Sequence, residues 1–365
     1  QEPLSRSRIV VYLNCRLSQG VCQHMSTLKY VFNRILWSIF VLVGLSMLIF
    51  FVARIIPGDP AVLALGTTAS ESALELYREE NHLNKAIPVQ YYYWFKGALT
   101  GDLGDSAQTK RPVAQDIAEY LPATLELIFF AAIFEIIFGI LFGVLSARRS
   151  GGLIDNTVRI TSYLGIATPS FVWAILFMLL FCYVWQLLPT IGRISSSVTA
   201  PVHITGFYIL DALLRGNTAA AWDTFKHLIM PSVALSLAGI AQSARITRTS
   251  MLDNMSKDFV GAEISAGIPM RRVLMSYVLR PSATPTVAII SLDIAAMLGN
   301  AFLVEQIFSY PGISKYGMSS ILTKDLNSIV GVVMIIGITF LLVNIVVDII
   351  AAYLDPRIRL QGGAK

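Results

Sequence analysis

Charge is what this chain has least of. Asp, Glu, Lys and Arg together make 14% of its 365 residues, whereas a soluble domain carries roughly 25% and needs them to cover its surface. With 55% hydrophobic residues and a mean hydropathy of +0.64, much of the surface must meet something other than water. Cysteine is scarce too. Cys15, Cys22 and Cys182 have no metal-ligand spacing and build no disulfide framework, and Cys182 reads as a small buried apolar residue. His24, His82, His203 and His227 all fall outside the cores of the apolar runs, and no H-E-x-x-H or G-x-S-x-G occurs, so an intramembrane protease finds no support. Its aspartate variant would need Asp293 and Asp348 to meet, and neither stands in a Gly-Asp motif. No Gly-Lys pair exists, which rules out a phosphate loop. The net charge of +5 does not point to nucleic acid, because the basic residues sit in short runs between apolar stretches and not on one exposed face.

Six continuous apolar runs are present, at 35–53, 124–147, 160–185, 228–244, 286–304 and 329–354. Each is long enough to cross a bilayer as a helix, and none alternates as a barrel strand does. The sequence therefore predicts an all-α polytopic membrane protein. The fourth run is diluted by Ser232, Ser236 and Gln242, and a buried re-entrant helix is its alternative. Pro169, well inside the third run, predicts a kink. Most Lys and Arg, among them Arg148, Arg149, Arg245, Arg248, Lys257, Arg271 and Arg272, fall on the side that holds both termini, and most acids fall on the other. The positive-inside rule then places both termini in the cytoplasm.

Residues 1–24 contain no apolar core before a small-residue cleavage site and so no signal peptide. Met25 is the expected start of the functional chain, with an added extension before it or, alternatively, a true cytoplasmic tail. Residues 25–56 hold the cytoplasmic N-terminus and first span, 57–121 an external helical subregion, 122–360 the transmembrane domain and 361–365 a short tail. In the external subregion Ser72 and Glu75 fit a capping box for a helix running through Leu83. After Pro88, VQYYYWFKGAL suits the lipid headgroup region, or else an aromatic peptide-binding wall. The external piece ITGFYILDALL is expected on the membrane surface. In the cytoplasmic loop, at about 252–284, Gly267, Ile268 and Pro269 should separate two short helices. Apolar side chains among Arg there need a covering surface, either the chain's own bundle or a partner's groove.

Several motifs in order resemble one family. They are RIIPGDP (54–60), Gln90, Tyr91 and Trp94 with GDLGDS (101–106), His227, Leu228 and Pro231, VEQIFSYPGISKYG (304–317), KDLNSIVG (324–331) and LDPRIRL (354–360). From about residue 29 to 360 the chain is similar to the permease subunits of ATP-binding-cassette importers, in the dipeptide and oligopeptide branch, first permease type. The resemblance implies the type I importer permease fold with six transmembrane helices in the cytoplasmic (inner) membrane. It also implies a heterodimer with a second homologous permease, two ATP-binding subunits, a solute-binding protein and a peptide substrate. No cofactor is expected on this chain; ATP and Mg belong to the partner subunits. The family's EAA…G docking pattern is matched imperfectly by Gly261, Ala262, Glu263 and Gly267, the initial glutamate being displaced, while Arg271 and Arg272 keep the branch's RRV segment.

Those six residues are the expected ATPase-coupling site. Among acids within the spans, Glu126 and Asp348 lie near span ends, whereas Glu135 and Asp293 lie deeper and are candidates for the translocation path. Asp293, Met297 and Asn300 are expected on one face of the fifth helix. Pro281 and Pro285 are either flex points or helix-start prolines. Cargo alternatives within the branch are nickel complexes, glutathione, opines and oligosaccharides. A secondary transporter would share the acids and topology, but its usual repeated halves with interrupted helices are not evident.

Overall fold

The computed structural model describes residues 36–54, 59–66 and 68–354. Expectations for residues 1–24, for most of RIIPGDP and for the segment after Leu354 lie outside the described residues, as does the side chain of Asp348. Helix α1 (Leu36–Arg54) is apolar and only 17% buried. The external subregion follows as α2 (Pro60–Leu65), α3 (Glu71–Glu80) and α4 (Ile87–Leu99). Asp59 caps α2 by accepting from the Ala61 amide at 2.9 Å, with Pro60 in the first turn. Ser70, not Ser72, caps α3, accepting from Ala73 at 3.3 Å, and that helix stops at Glu80, short of Leu83.

The bundle begins with α5 (Val113–Arg148), which passes through a π-helical turn at Glu135–Gly139. The third apolar run is two helices, α6 (Leu153–Ala167) and α7 (Ser170–Val184), bent by 109° at Thr168 and Pro169. The expected kink is a full corner, because Pro169 has no N–H to continue the ladder and forces Thr168 out of the helical region. Helix α8 (Tyr208–Leu214) leads into α9 (Thr218–Met255), then α10 (Asp258–Ser265), α11 (Met270–Ile307), α12 (Ile313–Leu322) and α13 (Leu326–Leu354). Counting α6 and α7 as one broken span gives six spans.

One alternative falls away here and one expectation changes. The fourth run is the centre of the molecule and no re-entrant helix: α9 packs against α5, α6, α7, α8 and α11, and its most apolar window is 67% buried. Its serines are there because it faces protein instead of lipid; Ser232, Ser236 and Ser243 are fully buried. It starts ten residues before Leu228, so Pro231 lies inside the helix. The second short helix expected after Pro269 does not exist separately. It is the first part of α11, which runs through Pro281 and Pro285; a π-helical stretch at Val273–Val278 precedes Pro281, where the ring leaves a carbonyl without its donor.

Candidate functional site

At the basic end, α10 is pinned by one apolar cluster in which Val260 meets Ala147, Met251, Val273, Leu274 and Val278. A short helix needs such an anchor, since isolated helices of this length are unstable in water. Its other side is open. Gly261, Ala262, Gly267, Arg271 and Arg272 are exposed, Glu263 is half-buried, and Phe259, Ile264 and Met270 are exposed apolar side chains beside them. The structure thus brings all six expected coupling residues onto one helix–turn–helix unit. Gly267 has a local duty as well. With φ at +79° it ends α10, the Ile268 amide donating to Glu263 O at 3.2 Å and the Gly267 amide to Ile264 O at 3.0 Å, a cap that favours glycine. Behind the unit, Arg248 grips Asp155 at 2.5 and 2.8 Å, and the Ser146 hydroxyl and Gly151 amide donate to the same carboxylate.

The candidate path residues divide. Glu135 is fully buried at the π-helical turn of α5, accepts from the Ser243 hydroxyl at 3.0 Å, and lies so close to Gly239 that a Cβ there would fall on its carboxyl. Asp293 of α11 is the carboxyl beside it. Met297 is packed in the core and Asn300 is exposed, alongside Leu292, Ala296 and Leu303. Helical geometry turns Met297 roughly 40° to one side of Asp293 and Asn300 roughly 20° to the other, and the edge of the packing falls between them. The expected single face is therefore split, with Asp293 on its margin.

The end opposite α10 holds what sequence reasoning missed. Glu126, expected near a span end, is buried with Arg193: the guanidinium reaches the carboxylate at 2.5 and 3.2 Å, also donates to Gly206 O at 2.7 Å, and stacks 3.7 Å over the Tyr208 ring. The Ile209 amide donates to Glu126 at 2.9 Å. Thr124 donates to buried Glu305 at 2.5 Å and accepts from the Ile313 amide at 2.8 Å. Tyr316 donates to Asp116 at 3.0 Å, and burial pushes its phenol up to about 12. The segment ITGFYILDALL contributes α8. Burial alone would raise the Asp211 carboxyl, but Thr205 and the amides of Ile204, Thr205 and Gly206 hold it below the usual range. The aromatic helix α4 lies against α1: Tyr91 hydrogen-bonds Ser46 at 2.8 Å, and its ring and that of Trp94 pack on Phe50. The only signal for the Arg193 pair is a lone cation in a loop, 67 residues from its partner.

Comparison with known proteins agrees with this architecture. Residues 139–360 match the family described as "binding-protein-dependent transport system inner membrane component", and residues 27–128 match its N-terminal region. A probable D,D-dipeptide transport system permease of Escherichia coli K12 is 34% identical over 89% of this chain and 96% of its own length. A dipeptide transport system permease of Alkalihalophilus pseudofirmus is 34% identical over 91% and 99%. A di/tripeptide transport system permease of Pseudomonas aeruginosa is 32% identical over 87% and 95%. The chain belongs to the family of binding-protein-dependent transport system inner membrane components, and within it to the DppB-type permeases of ABC importers.

Proposed function

We propose that this chain is the first of two permease subunits in an ATP-driven importer of dipeptides or short oligopeptides. The second, homologous permease completes a heterodimer, two ATP-binding subunits dock at the basic end, and a solute-binding protein delivers cargo at the opposite end. The basic end and both termini are cytoplasmic. Catalysis of ATP hydrolysis, with its Mg, belongs to the partners, and this chain carries no cofactor.

The observation that carries this reading is α10: a short helix anchored at Val260 while Phe259, Ile264 and Met270 stay exposed among Arg271 and Arg272. Apolar side chains ringed by cations suit a groove on a partner. Gly261, Ala262, Glu263 and Gly267 shape that contact. Movement of the ATPases is transmitted through α10 to α9 and α11, which take the two arrangements that coupling needs. Asp293 and Asn300 face the path between the permeases, with Glu135 and Met297 supporting them from behind.

The test is reconstitution of the four-chain complex in vesicles with its binding protein. Replacing Arg272 with Glu should abolish ATP-driven dipeptide uptake while membrane insertion is unchanged. Uptake at the wild-type rate would remove the docking role, and uptake without the ATPases would favour a secondary transporter.

A further inference from the structure

We propose that Glu135 and Asp293 bind a single proton between them within the bundle, and that this proton fastens α5 to α11. The two carboxyls come from different helices and meet side chain to side chain. Each leaves one buried oxygen, Oε2 of Glu135 and Oδ2 of Asp293, without a hydrogen-bond partner among the described residues. An ionised carboxylate only accepts, so two of them side by side cannot bond to each other. A proton on either one supplies the missing donor, and a single O–H···O bond then joins the pair.

The other buried carboxyls of the bundle are answered differently. Glu126 has the guanidinium of Arg193, and Asp155 has that of Arg248. Glu305 has a donor on each oxygen, the Thr124 hydroxyl at 2.5 Å and the Lys315 amide at 3.0 Å. Glu135 has one donor, the Ser243 hydroxyl at 3.0 Å on Oε1, and none on Oε2. Nothing larger than a proton fits there. On the α9 side a Cβ placed at Gly239 would stand 2.5 Å from Oε2 of Glu135, so the helix backbone itself covers that oxygen. Among the described residues no third His, Cys, Asp or Glu joins the pair to make a metal site.

No cation takes the proton's place. The π-helical turn that carries Glu135 packs on α9, which faces it with Ser243; the nearest cations along that helix are Arg245, exposed, and Arg248, held by Asp155. Along α11 the nearest cation to Asp293 is Arg280, which is exposed, and the only other acid is Glu305. Helix α13 packs on both α5 and α11, and its one charged residue is Asp348, whose side chain lies outside the described residues. Two like charges brought together out of water do not both ionise, and the proton belongs to the pair and not to either residue. Because α11 begins in the coupling unit, a tie at Asp293 bears on the helix that movement of α10 reaches. Raising the pH removes the proton and turns the tie into repulsion.

The experiment is infrared spectroscopy of the complete importer complex in lipid nanodiscs at neutral pH, with the thermal midpoint of the same samples read in parallel. A protonated carboxyl shows a carbonyl stretch that a carboxylate lacks. The spectrum of wild type minus that of Glu135→Gln/Asp293→Asn should contain one protonated carboxyl and one carboxylate per complex. Raising the pH should remove the protonated band and lower the midpoint of the wild type more than that of Glu135→Gln, whose amide N–H donates to Asp293 at any pH. Two carboxylates in the difference spectrum overturn the proposal, as do two protonated carboxyls or an equal fall of both midpoints with pH. A wild-type midpoint that rises when sodium chloride replaces choline chloride also overturns it, by putting a metal cation where the proton is assigned. If the double variant does not assemble, wild type minus Glu135→Gln decides the question: one protonated carboxyl is expected, and one carboxylate in its place refutes the shared proton.

Discussion

The two ends of the bundle are built on opposite plans. The end opposite α10 is locked by buried polar groups drawn from distant parts of the chain, with Arg193 on Glu126, Thr124 on Glu305 and Tyr316 on Asp116. At the basic end α9 and α11 are also joined by buried hydrogen bonds, Thr247 with Thr286 and Asn254 with Ser282, and among the described residues Arg248 pairs with Asp155, but α10 itself is held by an apolar cluster through Val260 and Ile268. Buried hydrogen bonds demand one geometry, since each broken member strands a partner. Apolar contacts tolerate sliding. The difference leaves α10 freer to move than the opposite end, which accords with the docking role proposed for it.

The comparison breaks first if the locked end yields nothing on mutation. Arg193→Met strands the buried Glu126 carboxylate and should cost about 3–5 kcal/mol, read as a fall in the thermal midpoint of the purified complex; adding Glu126→Gln should restore part of it. Between the ends, Glu135 probes the hinge of α5 against α9 and α11. Glu135→Ala should destabilise by about 1–3 kcal/mol, because it strands Ser243 and opens a void. Glu135→Gln should be milder, since two carboxyl groups brought together repel unless a proton lies between them, and a melt that ranks the two variants the other way refutes this. At the basic end, Gly267→Ala should cost only about 1 kcal/mol, from the left-handed backbone, yet reduce ATP-driven uptake far more than it reduces the melting temperature. Parallel losses in both would erase the contrast between the ends. The smallest effect is at the rim of the external subregion. The hydrogen bond from Arg78 holds the Asp59 carboxyl below its usual range, so its stabilisation is present above the unfolded value near 4 and fades as pH falls through it. The gap in melting temperature between wild type and Asp59→Asn should therefore narrow as pH falls below the unfolded carboxylate value and close once it passes the lower folded one.

Spans and their order were legible because hydrophobic length alone determines them. The break between α10 and α11 was legible because Gly267 and Pro269 punctuate a basic apolar stretch. What composition could not separate was lipid-facing from protein-facing helix: Ser232 and Ser236 weaken the fourth run by hydropathy and mark it as central by packing. Local signals erred by small steps, as with Ser70 capping α3 in place of Ser72, since both are competent caps and the turn at residues 68–69 decides between them. The face at Asp293 was misread because a helix wheel gives angles but not where the neighbouring helices end. Pairings such as Arg193 with Glu126 leave no local trace, nor does a cavity at Trp94, whose wall is drawn from α2 and several other separate segments.

The corner at Pro169 also has a meaning for the bilayer. Helix α7 consists of stretches of 8 and 7 residues, which rise about 22 Å at most, against a hydrocarbon layer about 30 Å thick. Neither arm of the corner is long enough to cross alone, so the third apolar run spans only as a broken pair. Leu153, Ile160, Tyr163 and Leu164 are exposed on α6, and a span shorter than the hydrocarbon layer is one that a bilayer accommodates by thinning.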